Sequence, residues 1–450
     1  MFVRLGIESI TVTLDNASSN NVSIQYVINT VNQWGGAILR GEHMHLRCAS
    51  HILNLIVQDG LKEYDESISK IRDVVRYVKS STARMQKLKE CAEQAKITCK
   101  KSVSLDVPTR WNSTYLMLEA AEKYQKAFER MEMHDVGYVK EFCTSEEKAC
   151  PNESDWDSAR LFIKFLKIFY DSTLRFSGSN YVTSNHFLDR VSFIHSRLAF
   201  WCGNKNNYKL NIMAESMKIK FDKYWGEIEK LNPLLLVAVL LDPRYKEPYL
   251  KVCFEMMCSD SLEASRHANN VRKILDQMYK EYYIIDSNGD MHHSSSTHLG
   301  EESRDEDEDD DDYTWFDQQR KEKLKAAEHS ENKTEVDKYF IEACENFENP
   351  DFDVLKWWKH NAGRFKILSK IAQDIFAIPV STVASESAFS TGGRVIDPYR
   401  SCLTPKAVQA LICTQNWIRN TIAIDITTTI EEVEALENEI LAGIGDIRIE

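Results

Sequence analysis

Ile10-Thr-Val-Thr-Leu14 alternates apolar and hydroxyl residues, the pattern of a strand. It stops at Asp15-Asn16-Ala17-Ser18-Ser19-Asn20-Asn21, a polar turn rich in helix-capping residues. Ile24, Val27, Ile28, Val31 and Trp34 then follow at helical spacing as far as Gly35-Gly36. A strand that ends on an Asp and turns into a helix commits this end of the chain to an α/β unit. The carboxyl end of such a strand is where ligands and metals bind. The commoner use of a single Asp there is an Asx-turn or helix cap. A second strand is expected near His43 to Arg47.

Beyond Tyr64 the pattern changes to helix, as far as Ile285. Ser154-Asp-Trp-Asp-Ser opens an amphipathic helix with Phe162, Phe165, Leu166, Phe169 and Tyr170 on its inner side. Met213 to Lys230 and Leu262 to Ile285 are two more. Between them, Leu234 to Leu241 follows Asn232-Pro233 and reads as a capped, buried helix. It is far too short to span a bilayer, so no membrane partner is expected. Helices resume at Thr334, with dense apolar spacing from Val354 to Phe376, and Thr404-Pro405 opens a last core helix through Val408, Leu411, Ile412 and Trp417. Glu431 to Leu441 reads as a short acidic helix.

The net charge of −13 argues against nucleic acid as a partner until it is mapped. Glu301 to Asp312 holds ten carboxylates and one Arg, a local −9 that leaves −4 elsewhere. That run is expected to be a solvated, disordered linker. Eleven Cys without regular spacing point to a reducing compartment rather than a disulfide framework.

The other constraining stretch is Ile378-Pro-Val-Ser-Thr-Val-Ala-Ser-Glu386-Ser-Ala-Phe-Ser-Thr-Gly-Gly-Arg-Val-Ile396. Val383, Ala384, Ala388 and Phe389 around Glu386 suggest a helix packed into a core. A carboxylate there needs a partner or a metal ion, or else sits in a first turn with Ser385 or Ser387.

Four blocks together resemble the hAT-superfamily transposases. Asp15-Asn-Ala-Ser-Ser-Asn20 resembles the block of their second catalytic Asp. Arg47-Cys-Ala-Ser-His-Ile-Leu-Asn-Leu55 is similar to their Cys-x-x-His block, and Leu105-Asp-Val-Pro-Thr-Arg-Trp-Asn-Ser-Thr114 to their Arg-Trp block. Ala384-Ser-Glu-Ser-Ala-Phe-Ser390 resembles the block of their catalytic Glu. The blocks stand in family order. Glu215 to Leu250 and Thr334 to Trp417 are similar to the plant domesticated group with BED zinc fingers.

The resemblance implies an α/β plus mostly α fold: a truncated ribonuclease-H-like core interrupted by a long all-helical insertion, with a helical carboxyl-terminal dimerisation region. The implied divisions are a partial core over 1–115, the insertion over 116–285, the acidic linker over 286–333, the dimerisation region with the last core helix over 334–420, and a tail over 421–450. In the family three carboxylates hold two metal ions for in-line displacement at phosphorus. Asp15 and Glu386 would be the second and third. Of the fourteen residues before Asp15 none is Asp, and Glu8 is too close to lie on a separate strand. The expectation is a truncated parent and no transposase activity, with no required cofactor and weak Mg²⁺ at Asp15 and Glu386 at most. The unpaired edge of the first strand would be covered by Met1 to Gly6 or by a partner.

Arg110, Trp111 and His51 are the DNA-facing residues the resemblance implies, with Trp111 stacking on a base. Trp357, Trp358, Leu355, Phe365 and Leu411 are the dimerisation residues. The bland use of Trp357-Trp358 is an ordinary core pair. His43, His45, Cys48 and His51 look like metal ligands, but the Cys-x-x-His block accounts for two of them without zinc. No Cys-x-x-Cys occurs, so no BED finger is expected within these residues. The reading is a non-catalytic nuclear protein that forms a dimer or higher oligomer and contacts DNA. The alternatives are an active metal-dependent transposase and a helical protein-binding scaffold without DNA contact.

Overall fold

The structure, a computed structural model, describes residues 11–34, 37–62, 65–99, 101–107, 110–144, 148–178, 180–204, 208–258, 260–290, 334–387 and 403–421. The chain forms two units, one of Met1–Ser177 with Val182–Ser381 and one of Gly178–Tyr181 with Thr382–Glu450. The acidic run, residues 388–402 and the tail beyond 421 lie outside the described residues, as does the amino-terminal segment expected to cover the first strand.

The α/β opening forms as expected. Strand β1 (Val12–Leu14) pairs in parallel with β2 (His45–Arg47), with Thr13 opposite Leu46. Helix α1 (Ser18–Gln33) makes the crossover and buries Ile24 and Val31. Trp34 closes it, one residue before the Gly pair. Its return passes through a 3-10 turn, Ile38–Gly41, where Leu39 and Arg40 take positive φ.

Nearly everything after β2 is helix: α2 (Ala49–Leu61), α3 (Asp65–Lys79), α4 (Thr82–Gln94), α5 (Trp111–Lys123), α6 (Gln125–His134) and the short α7 (Val136–Tyr138), which runs into a π turn at Val139–Cys143. Helix α8 (Glu153–Phe176) starts on a capping box in which Asn152 and Asp155 bond each other's backbone N–H. Then come α9 (Phe187–Cys202), α10 (Tyr208–Trp225), α11 (Pro233–Leu240), α12 (Lys246–Met257) and α13 (Ser261–Asp290). The expected Met213–Lys230 helix instead begins at Tyr208 and ends at Trp225. Helix α13 continues past Ile285 to Asp290, so the linker does not start at 286. The carboxyl-terminal helices are α14 (Glu335–Ile341), α15 (Val354–Asn361), α16 (Lys366–Phe376) and α17 (Pro405–Thr421).

Helix α11 is the centre of the larger unit. Asn232 Oδ1 accepts from Leu234 N–H, Pro233 occupies the first helical position, and Leu234 through Leu240 are all buried. A helix apolar on every side needs neighbours all round, and α9, α12, α13 and α16 supply them. No helix among the described residues is long and apolar enough to cross a membrane.

Candidate functional site

Asp15 follows the last residue of β1, at the carboxyl end of the parallel pair, as expected. Its side chain is exposed and spent locally: Oδ1 accepts from Ala17 N–H at 3.0 Å and from Asn20 Nδ2 at 2.5 Å. That is the Asx-turn use, closing the step from strand to helix. Around it, Leu14 O accepts from Cys48 N–H and Met44 O from Val12 N–H, both at 2.7 Å. The chain leading toward Glu386 touches the same unit. Thr13 Oγ1 donates to Pro379 O at 2.6 Å, and Ala49 N–H donates to Val380 O at 2.9 Å.

Glu386 belongs to the smaller unit. The buried carboxylate expected from its apolar neighbours is corrected here: Ala384, Ser385, Glu386 and Ser387 are exposed on a helical turn over 383–387. Its partner is Thr382, whose Oγ1 donates to Glu386 Oε1 at 2.7 Å while Glu386 N–H donates to Thr382 O. A local side-chain bond takes the place of the buried partner expected from the apolar context.

The Arg-Trp block is held by a residue the sequence reading did not single out. Asp106, its carboxylate buried, accepts from Arg72 on α3, Nε reaching both oxygens at 3.0 Å and Nη2 one at 2.9 Å, and from Thr114 Oγ1 at 2.9 Å. A bidentate Arg–carboxylate pair of this kind is geometrically specific. It fixes the start of α5 against α3. Trp111, expected to face DNA, is 2% exposed. It shares the inward stripe of α5 with Thr114, Tyr115 and Leu118, so its indole packs in the core instead of meeting a base. Arg110, one residue earlier, is exposed, and His51 on α2 is half-buried.

The four metal-like residues do not converge: among the described residues no three His, Cys, Asp or Glu side chains form a metal-ligand group. Cys48 is buried. Burial lowers the His45 pKa from its ordinary value, with Arg47 adding to the effect, and its Nε2 is buried without a partner. Burial also lowers His43, against the pull of Glu42. Asn232 Nδ2 donates to both His43 O and His45 O, tying β2 to the start of α11.

The expected dimerisation residues divide into two sets. Trp358 and Phe365 are buried within the larger unit. Trp358 Nε1 donates to Leu241 O at 2.9 Å, and Tyr339 Oη donates to Leu240 O at 3.1 Å. These are carbonyls at the end of α11, which has no helical partner left for them. The rings of Tyr339, Trp357, Trp358 and Phe365 pack on one another, Trp357 against Trp358 at 5.1 Å between centroids. Trp357 is half-buried and donates through Nε1 to Glu345. The core use of the pair therefore holds, and these rings cap α11. Leu355 and Leu411 remain, 48% and 49% exposed.

Lys246 is a further holding residue. It is 3% exposed, and Nζ donates to Tyr339 O at 2.7 Å and Glu342 O at 2.9 Å, carbonyls at the end of α14. Burial lowers its pKa, with Cys344, Glu342 and Glu345 acting against that. Its neighbour Asp242, fully buried, is matched by Arg244 at 2.7 Å and Asn185 at 2.8 Å. Charges in Asp242-Pro-Arg-Tyr-Lys246, directly after a wholly apolar helix, were the available signal.

The chain has an α/β start, a long helical body and helices α14, α15 and α16 docked through aromatic caps. Three family models match: the ZBED1 RNase-like helical domain over residues 46–159, the hAT-like transposase RNase-H fold over 185–282, and the hAT family C-terminal dimerisation region over 335–418. The second of these spans contains no strand among its described residues. The chain is 34% identical over 434 residues to the Putative AC transposase of Zea mays, covering 96% of this chain and 51% of that protein. It is 32% identical to RICESLEEPER 2 of Oryza sativa subsp. japonica, covering 91% and 56%, and 27% identical to DAYSLEEPER of Arabidopsis thaliana, covering 74% and 43%. The chain carries hAT-family transposase domains and is homologous to these BED zinc finger proteins over most of its length. It spans about half the length of the curated relatives it matches.

Proposed function

We propose that this chain is a non-catalytic, transposase-derived protein that self-associates through its carboxyl-terminal region and meets DNA in the nucleus. The observation that carries the reading is the hAT dimerisation match over 335–418, a region that keeps exposed apolar side chains at Leu355 and Leu411. Support for the absence of catalysis comes from Asp15, whose Oδ1 closes its own turn. Asp15 and Glu386 are remnants that need no cofactor and bind Mg²⁺ weakly at most. DNA contact falls to exposed Arg110 and half-buried His51, with Trp111 buried at the start of α5.

One observation favours a second reading, a metal-dependent transposase: the strong match to the maize Putative AC transposase. Incubating the chain with DNA ends and Mg²⁺ or Mn²⁺ separates the two. No strand transfer is expected; transfer that disappears with Asp15→Ala establishes the second reading instead. The protein-only scaffold is tested by DNA affinity against salt. Arg110→Ala should weaken binding and reduce the salt slope by about one, whereas a chain with no salt-dependent binding is a scaffold.

A further inference from the structure

We infer that Cys143 and Cys150 are a reversible thiol–disulfide pair, a modification site that staples the π turn after α7 to the start of α8. Their sulfurs lie 3.2 Å apart. Bond formation requires them to close to about 2 Å. Cys143 is exposed and ends the π turn, and half-buried Cys150 stands two residues before Asn152, the cap of α8.

The approach is held by contacts independent of the sulfurs. Lys148 Nζ bonds Glu141 Oε1 at 2.8 Å, joining the same two stretches of chain. The same ammonium lies 5.6 Å from the Phe142 ring centroid. Phe142 is buried and packs edge-on against Tyr77 of α3, so the Cys143 side is anchored in the core. The Cys150 side is anchored by the α8 capping box. The two thiols also have different surroundings. Burial, then Cys143 and Glu132, push the Cys150 thiol above its ordinary range. Cys143, the exposed thiol, is the one an oxidant in solution reaches first, and Cys150 resolves.

With glutathione disulfide as oxidant the chemistry balances. Cys143 gives up its proton and its thiolate attacks one glutathione sulfur, forming a mixed disulfide and releasing one glutathione thiolate. Cys150 then gives up its proton, attacks Cys143 Sγ and displaces the second. The pair loses two electrons and two protons, and two glutathione thiols carry them away. In a reducing compartment the pair rests as thiols, and a transient disulfide is the usual form such a site takes.

The test equilibrates the full chain with graded ratios of reduced and oxidised glutathione, quenches with acid, alkylates, and reads intact mass and mapped peptides. The unaltered chain should lose two hydrogens and yield a Cys143–Cys150 linked peptide, with little adduct on Cys143. Cys150→Ser should accumulate the glutathione adduct at Cys143, on the order of tenfold above the unaltered chain, because an intramolecular resolving thiol is lost. Cys143→Ser, at an exposed position, should leave Cys150 free. Exposed Cys344 gives the reference for simple adduct formation. The inference is overturned if Cys143 carries as much adduct in the unaltered chain as in Cys150→Ser, or if both thiols stay free at a ratio that modifies Cys344.

Discussion

Thr13 Oγ1 donates to the carbonyl of Pro379 at 2.6 Å, joining residues 366 positions apart. The strand that leads into Asp15 thus meets a late segment of the chain through one side-chain bond. A backbone bond from Ala49 to Val380 lies beside it. Thr13→Val keeps the β-branched shape and removes only the donor. The expected cost is about 1 kcal/mol, read as a lower urea midpoint with an unchanged slope. No change in midpoint would mean that water replaces the hydroxyl without loss.

Lys246 links α12 to the carbonyl end of α14. Removing its ammonium leaves buried carbonyls without a donor, and such groups are expensive. Lys246→Met should therefore cost roughly 3 kcal/mol, although the methionine restores most of the apolar stem. Hydrogen exchange offers a sharper reading: α14 and α15 should lose protection before α9 and α10. Uniform loss across the molecule would show that Lys246 supports the whole core rather than this docking.

The elements that read correctly from sequence are those whose signal is local. Asn232-Pro233 ahead of eight apolar residues reads as the start of a buried helix, and α11 is that helix. The alternation through Thr13 and the polar turn at Asp15 give β1 and α1. The rest turned on side-chain partners that the pattern does not name, whether distant or a single turn away. The family resemblance offered Trp358 as a dimerisation residue while physics alone favoured a core pair, and Leu241 O, 117 positions away, takes its donor in the core. Glu386 stands among small apolar residues in sequence, yet a Thr four positions earlier satisfies it at the surface. The helical stripe of Trp111 was readable from Thr114, Tyr115 and Leu118, but the family block pointed elsewhere.

His186 ends the 3-10 turn before α9, and its pKa is lowered from 6.5 to about 4. Burial is the main cause; Arg175 and Arg244 add to it, while Asp242 and Asp189 oppose it. Above the ordinary value neither state carries the proton. As pH falls below that value the unfolded chain takes it up and the folded chain does not, so stability is lost until the folded group also titrates. The expected loss from this residue is about 1–3 kcal/mol between neutrality and mild acid, at up to 1.4 kcal/mol per pH unit. His186→Gln should flatten that limb of a urea-midpoint-against-pH curve. An identical slope in the variant would assign the acid sensitivity to other groups, among them His45, His195 and Asp155.

Leu411 on α17 and Leu355 on α15 are about half exposed, while Trp358 and Phe365 are closed into the core. The two sets should therefore answer differently to substitution. Leu355→Asp and Leu411→Asp remove exposed apolar surface and add charge, so they should shift the chain from dimer to monomer in light scattering. Their unfolding midpoints, measured where the chain is monomeric, should stay within about 0.5 kcal/mol of the parent. Trp358→Ala should instead cost about 3–5 kcal/mol, because it empties a packed site and leaves Leu241 O without its donor. If Trp358→Ala yields a stable monomer and the leucine variants remain dimeric, the aromatic cluster is the interface and its place in the core is secondary. A parent chain that is already monomeric at all concentrations removes self-association from the proposed function.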